Sequence, residues 1–108
     1  MTVEFQLEGQ EFVALNGGPI FKLTEAVSFM VNCETQQEVD YFWSKLSAGG
    51  EESHCGWLKD KYGLSWQVVP TRLFELLNDP AKSDRVMKAV MQMKKLDISK
   101  LEEAAKND

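Results

Sequence analysis

The spacing of apolar residues switches from a strand period to a helix period and back within residues 26–69, and that switch limits the fold more than any other feature. Across 26–33, Val27, Phe29 and Val31 alternate with Ser28, Met30 and Asn32, the period of two that marks a strand. Thr35 then stands where an N-cap is needed, and Glu38 three residues later completes a capping box. Val39, Phe42, Trp43 and Leu46 follow at i, i+3, i+4 and i+7, which places one apolar stripe on a helix. Gly49-Gly50 ends that helix. Short extended stretches come next, at 51–53, 55–59 and 65–69, with Asp60-Lys61-Tyr62-Gly63 as a tight turn before the last. Strand, helix and three strands in that order form one βαβββ unit.

The flanks are of two kinds. Ahead of the unit, Val3, Phe5 and Leu7 alternate with Glu4 and Gln6, and Glu8-Gly9 turns the chain into a second strand over 12–15. This second strand is apolar on both faces, which predicts cover on both sides. Asn16-Gly17-Gly18-Pro19 cannot continue a ladder and closes the hairpin. Behind the unit, Thr71 is the expected cap of a short helix through Leu77, broken at Asp79-Pro80. A longer helix is expected over 83–95, with Val86, Val90 and Met93 inward and Met87 and Met91 beside them, and a last one from Ser99 carries Leu101 and Ala105. The class is α+β, as a single domain: a leading hairpin (1–19), the βαβββ module (24–70) and a helical extension (71–108).

A domain of this size buries only about 60–65% of its unfolded surface, so association with another surface would add to a limited core. Acidic residues outnumber basic ones by 17 to 12, and the one basic cluster is Lys94-Lys95, so no nucleic-acid partner is expected. No apolar run is long enough to span a bilayer, and the first residues lack the basic and apolar regions of a signal peptide. Cys33 and Cys55 are too few for a disulfide framework. A cytoplasmic location with both thiols reduced is the expectation.

Several strings resemble a known family. They are Phe5-Gln-Leu-Glu-Gly-Gln-Glu-Phe12, Ala14-Leu-Asn-Gly-Gly-Pro19, Ser28-Phe-Met-Val31 and Glu38-Val-Asp40, then Cys55-Gly-Trp-Leu-Lys-Asp60 with Tyr62-Gly63, and Ser65-Trp-Gln-Val-Val-Pro70. Arg85-Val-Met87 and Met91-Gln-Met-Lys-Lys-Leu-Asp-Ile98 extend the match to the tail. Together they resemble the vicinal-oxygen-chelate superfamily, of glyoxalase and bleomycin-resistance proteins, in its PhnB-like or demethylubiquinone-methyltransferase-like branch. The resemblance implies two βαβββ modules curved around a cavity. It also implies further chain ahead of residue 1, so that 1–19 correspond to the last hairpin of a first module, in a sequence either truncated or natively short. A hairpin with open edges is marginal alone and prone to pairing. A homodimer is therefore expected, with the hairpins contributing to a shared sheet or exchanged between copies. The alternative is a monomer whose edge the C-terminal helices cover.

The resemblance also implies a chemistry to test. Metal-using members hold a divalent ion through His and Glu on cavity-facing strands, and here the corresponding positions carry Ala26, Ser28 and Gln67, none a good ligand. His54 is the only histidine, and a site using it would need Glu51, Glu52 or Glu11 and a second copy; otherwise it is an exposed residue beside a turn. No metal and no cofactor are expected. Cys55 is either a nucleophile beside His54 or an inert, partly buried thiol; neighbours on a strand point to opposite faces, which favours the second. Cys33 reads as core. Trp57, Trp66 and Gln67 on adjacent strands are candidates for holding a flat ligand by stacking and hydrogen bonding, although both indoles also suit a packed core. Met87, Met91 and Met93 read as a packing face. No Gly-x-Gly-x-x-Gly occurs, so no nucleotide-type methyl donor is expected. The expected function is a dimeric small-molecule-binding protein for an aromatic or amphipathic ligand, with Trp57, Trp66, Gln67 and Cys55 as candidate site residues. The alternatives are a metal-dependent or cysteine-using enzyme completed across the dimer, and a remnant that serves assembly alone.

Overall fold

The helix predicted from the capping box is where the chain turns from sheet to layer. In the computed structural model, which describes residues 1–106, the Thr35 side chain accepts from the Glu38 N–H at 3.2 Å. The Glu38 carboxylate accepts in turn from the N–H of Glu34, one residue before the cap. Helix α1 then runs Gln36–Ser47 and lies over strands β3 (Ser28–Cys33), β5 (Trp57–Lys59) and β6 (Ser65–Pro70). A two-residue strand β4 (Glu51–Glu52) completes a sheet of order β3-β6-β5-β4, in which β3 and β6 are parallel and the other pairs antiparallel. The βαβββ module expected from the sequence is present, and β6 lies at its centre.

Alternation along β6 feeds two cores. Val68 points toward α1 and packs with Cys33, Val39, Trp43 and Leu58. Val69, its neighbour, points the other way and joins Leu73, Leu76, Val86, Val90, Leu96, Leu101 and Ala105. That second core is built by α2 (Thr71–Leu77), α3 (Pro80–Met91) and α4 (Ile98–Lys106). Gln36 ties the layers together: its amide donates to the Leu96 carbonyl at 3.0 Å, and its Oε1 accepts from the Ile98 N–H at 2.8 Å. Arg72 of α2 reaches Glu102 of α4 at 2.5 Å and Glu75 at 2.7 Å.

Several boundaries differ from the sequence reading. Thr71 lies inside α2, whose N-cap is Pro70. Asp79-Pro80 starts α3 instead of breaking a helix: Asp79 caps the Ala81 N–H at 3.0 Å, and a proline in the first turn gives up an N–H that has no helical partner there. Strand β5 begins at Trp57, because Cys55 (φ 60°) and Gly56 (φ 85°) are left-handed and cannot extend it. Residues 107–108 of the expected helical extension lie outside the described residues.

The largest departure is the hairpin of β1 (Thr2–Leu7) and β2 (Gln10–Leu15). Among the described residues its strands pair only with each other, and none of its residues belongs to either core. Phe12 connects it to the module, stacking on Phe5 at 5.6 Å and meeting Phe29 at 5.5 Å; Phe29 in turn meets the Trp66 edge at 5.4 Å. The cover expected on both faces of β2 is missing on one, where Val13 is 64% and Leu15 72% exposed, while Phe12 on the other face is half-buried against Phe5 and Phe29. The radius of gyration, 16.0 Å, exceeds the roughly 13 Å of a compact domain of about 100 residues, in keeping with a hairpin that stands off the module.

Leu101 is fully buried, and Leu101→Ala should destabilise the chain by about 2–5 kcal/mol in urea unfolding through lost contacts and a cavity. The Arg72 guanidinium holds the Glu102 carboxyl below its ordinary value of 4.5. A carboxyl depressed in the folded state adds stability above its unfolded pKa, and that stability is lost as pH falls through the folded one. Arg72→Met should therefore flatten the fall in unfolding midpoint below pH 4.5, measured against the parent chain.

Candidate functional site

Ladder parity divides the module's sheet into a covered face and a face only partly covered. Residues directly opposite in a ladder share a face, and successive residues alternate. Trp66 pairs with Leu58 and Phe29, and these side chains lie with Val68 and Val31 toward α1. Trp57 and Gln67 pair with each other, Met30 pairs with Gln67, and Ser28 with Ser65; these occupy the opposite face. The C-terminal helices engage that face at Val69. Trp57, Gln67 and Ser28 are partly exposed, and Met30 is 45% exposed.

The four candidates from the sequence therefore do not form one wall. Trp57 and Gln67 come together. Trp66 does not join them: it packs against the α1 core, and its indole N–H donates to Asp60 Oδ2 at 2.9 Å. Asp60 had no signal beyond a turn, yet its other oxygen also accepts from the N–H groups of Tyr62 and Leu64. Cys55 sits in the left-handed turn before β5, half-buried against the helical core, with its N–H bonded to the Met93 carbonyl at 2.8 Å. It is not on a strand, so the strand argument about His54 and Cys55 does not apply; His54 itself is exposed.

The positions where the family resemblance would place metal ligands carry a neutral pair. Gln67 Nε2 donates to Ser28 Oγ at 3.0 Å, which commits one amide hydrogen and leaves the Gln67 carbonyl oxygen on the open face. Neither group suits a divalent ion, and among the described residues no three His, Cys, Asp or Glu side chains converge. The residues present do not fit the metal.

The surface carries two hollows. One of about 330 Å³ lies on the hairpin, between residues such as Glu4, Phe5, Phe12 and Val13, where a two-stranded ribbon supplies one wall only. The other, about 170 Å³, lies at the module's end among Glu25, Glu51, Lys59 and Ser65. Lys59 forms an ion pair with Glu25, which raises the lysine's pKa and lowers the carboxyl's, in each case first through their hydrogen bond. Ser65 is 1% exposed, and its Oγ has no hydrogen-bond partner.

A βαβββ module with its helix on one face and an open opposite face, preceded by a hairpin, is the glyoxalase/bleomycin-resistance type of fold. The chain belongs to the 3-demethylubiquinone-9 3-methyltransferase family, PhnB-like proteins among them; the family's sequence profile matches residues 1–69. A solved PhnB protein from Bacillus cereus shares 35% identity and a TM-score of 0.61 over 66% of this chain and 64% of its own. This chain thus spans less than two thirds of that protein. A solved protein from Pseudomonas aeruginosa, 16% identical over 65% of this chain and 62% of its own, has a TM-score of 0.54 and is alike in fold alone. No curated protein matches the chain.

Cys33 is fully buried, and burial pushes its thiol up to about 11, so it stays protonated at neutral pH. Iodoacetamide at neutral pH should label the half-buried Cys55 in the folded chain and reach Cys33 only in denaturant. Equal labelling of both in the native state, read by peptide mass, would contradict this core.

Proposed function

We propose that the chain is a small-molecule-binding protein of this family, working as a homodimer. The observation that carries the reading is the partly exposed pair of Trp57 and Gln67, side by side in the ladder, in a chain whose leading segment exposes several large apolar side chains. Val13 and Leu15 on one face of the hairpin, and Ile20 and Phe21 after it, the last 91% exposed, leave large apolar side chains in water, a feature of interaction surfaces. A second copy of the same chain offers the complementary surface, with hairpins paired along their free edges or exchanged. The open face then becomes one wall of a cavity. Its ligand is aromatic or amphipathic: the Trp57 ring gives a stacking surface, Met30 an adaptable apolar neighbour, and the Gln67 carbonyl an acceptor.

The methyl transfer in the family's description is not part of this reading, because the chain carries no glycine-rich strand-to-helix loop of the kind that holds a nucleotide-type donor in a parallel sheet. Metal-assisted chemistry is set aside for a separate reason, the Ser28–Gln67 pair at the ligand positions. No helix among the described residues is long and apolar enough to cross a membrane. Two free thiols suit a reducing compartment such as the cytoplasm.

The test is a fragment screen read by NMR at the three indole N–H resonances. Aromatic fragments should move the Trp57 signal more than those of Trp43 and Trp66, whose N–H groups are held by Glu52 and Asp60. Trp57→Ala should weaken the best fragment by about tenfold or more, the loss expected for one aromatic contact. A library that leaves Trp57 unmoved, or a variant that binds as well as the parent, would overturn the reading.

A further inference from the structure

Ser65 occupies an unusual position on the open face. It pairs with Ser28 of β3 on one side and with Lys59 of β5 on the other, so all three side chains share that face. Glu25, three residues before Ser28, forms its ion pair with Lys59, so the pair bridges across β6 at the level of Ser65. Beneath it the Ser65 hydroxyl has no partner, although Ser65 lines the 170 Å³ hollow. A buried hydroxyl without a hydrogen bond is costly and rare in native structures, and calls for a group that completes it.

The charge around the hollow selects that group. Glu25, Glu51 and Glu52 line it against the single ammonium of Lys59. An anionic ligand would have to displace Glu25 from Lys59 and then sit beside Glu51. A cation has only Lys59 to displace and finds the carboxylates of Glu25 and Glu51 beside it, and Ser65 Oγ has lone pairs to accept from it. Trp57 lies on the same face, two residues before Lys59, where an aromatic body can rest while its charged end enters the hollow.

Resting on the binding role proposed above, we infer that the ligand is a cationic amine. Its ammonium enters the hollow, donates to Ser65 Oγ and to a carboxylate of Glu25 or Glu51, and releases the Lys59 side chain to solvent. Lys59 and Glu25 are both substantially exposed, so the bridge opens without unpacking either core.

Three probes of matched shape test this on the purified full chain: 2-phenylethylamine, 2-phenylethanol and 3-phenylpropionate, titrated by NMR and by calorimetry at low salt. The amine should bind about tenfold tighter than the other two, as one charge-assisted hydrogen bond provides, and should shift the backbone amides of Ser65 and Glu51. Glu51→Gln and Ser65→Ala should each reduce that preference severalfold. Ser65→Ala should also keep or raise the unfolding midpoint, since it removes an unsatisfied polar atom. Equal binding of all three probes at Trp57, or an amine preference untouched in both variants, would overturn the amine assignment while the binding role stands. Absence of any shift at Trp57 and Gln67 would overturn both.

Discussion

The register of β6 is the constraint on which the rest of the molecule depends. This strand lies between β3 and β5, and its six residues serve three environments by simple alternation. Trp66 and Val68 pack toward α1, Ser65 and Gln67 face the open side, and Val69 enters the core of the C-terminal helices. A slip of one residue would drive Gln67 into the α1 core and lift Val68 into water. Both cores hold against such a slip, which is why an uncovered polar face can persist beside them.

The arrangement divides the chain by stability. Residues 28–106 hold both cores, while residues 1–27 contribute to neither. The hairpin meets the module through a run of aromatic contacts, Phe5 to Phe12 to Phe29 to Trp66, anchored at its far end by the Trp66–Asp60 hydrogen bond. Stacked rings contribute about 0.5–1.5 kcal/mol per pair beyond buried area, too little to fix a ribbon whose free edges and apolar faces stay in water. In our account the same surfaces that destabilise the isolated ribbon supply the wall that the open face lacks.

Much of this was legible in the sequence, and the failures have physical causes. The period switch at Thr35 identified the module because capping and stripe are local signals that packing reinforced. Period two also contained the separation of Trp66 from Gln67, since neighbours on a strand must face apart; reading the three residues as one wall overlooked it. Asp79-Pro80 carries both a stop and a start signal, and only the helical core at Val86 and Val90 decides for the start. A strand is expected from Cys55 onward, and the left-handed φ of that cysteine has no composition signal. Across β2, apolar residues on both faces pointed to cover, which this chain does not provide at Val13 and Leu15. The Glu25–Lys59 bridge and the orphaned Ser65 hydroxyl join residues far apart in sequence, and no local pattern encodes them.

Cover of the hairpin and the open face by a second copy is tested most directly by the solution mass of the purified chain. Light scattering during size exclusion should give twice the mass of one chain across a broad concentration range, and Phe21→Asp with Leu15→Asp should halve it without unfolding residues 28–106. A monomer at every concentration, with the same indole environments as the doubly substituted chain, would contradict the account.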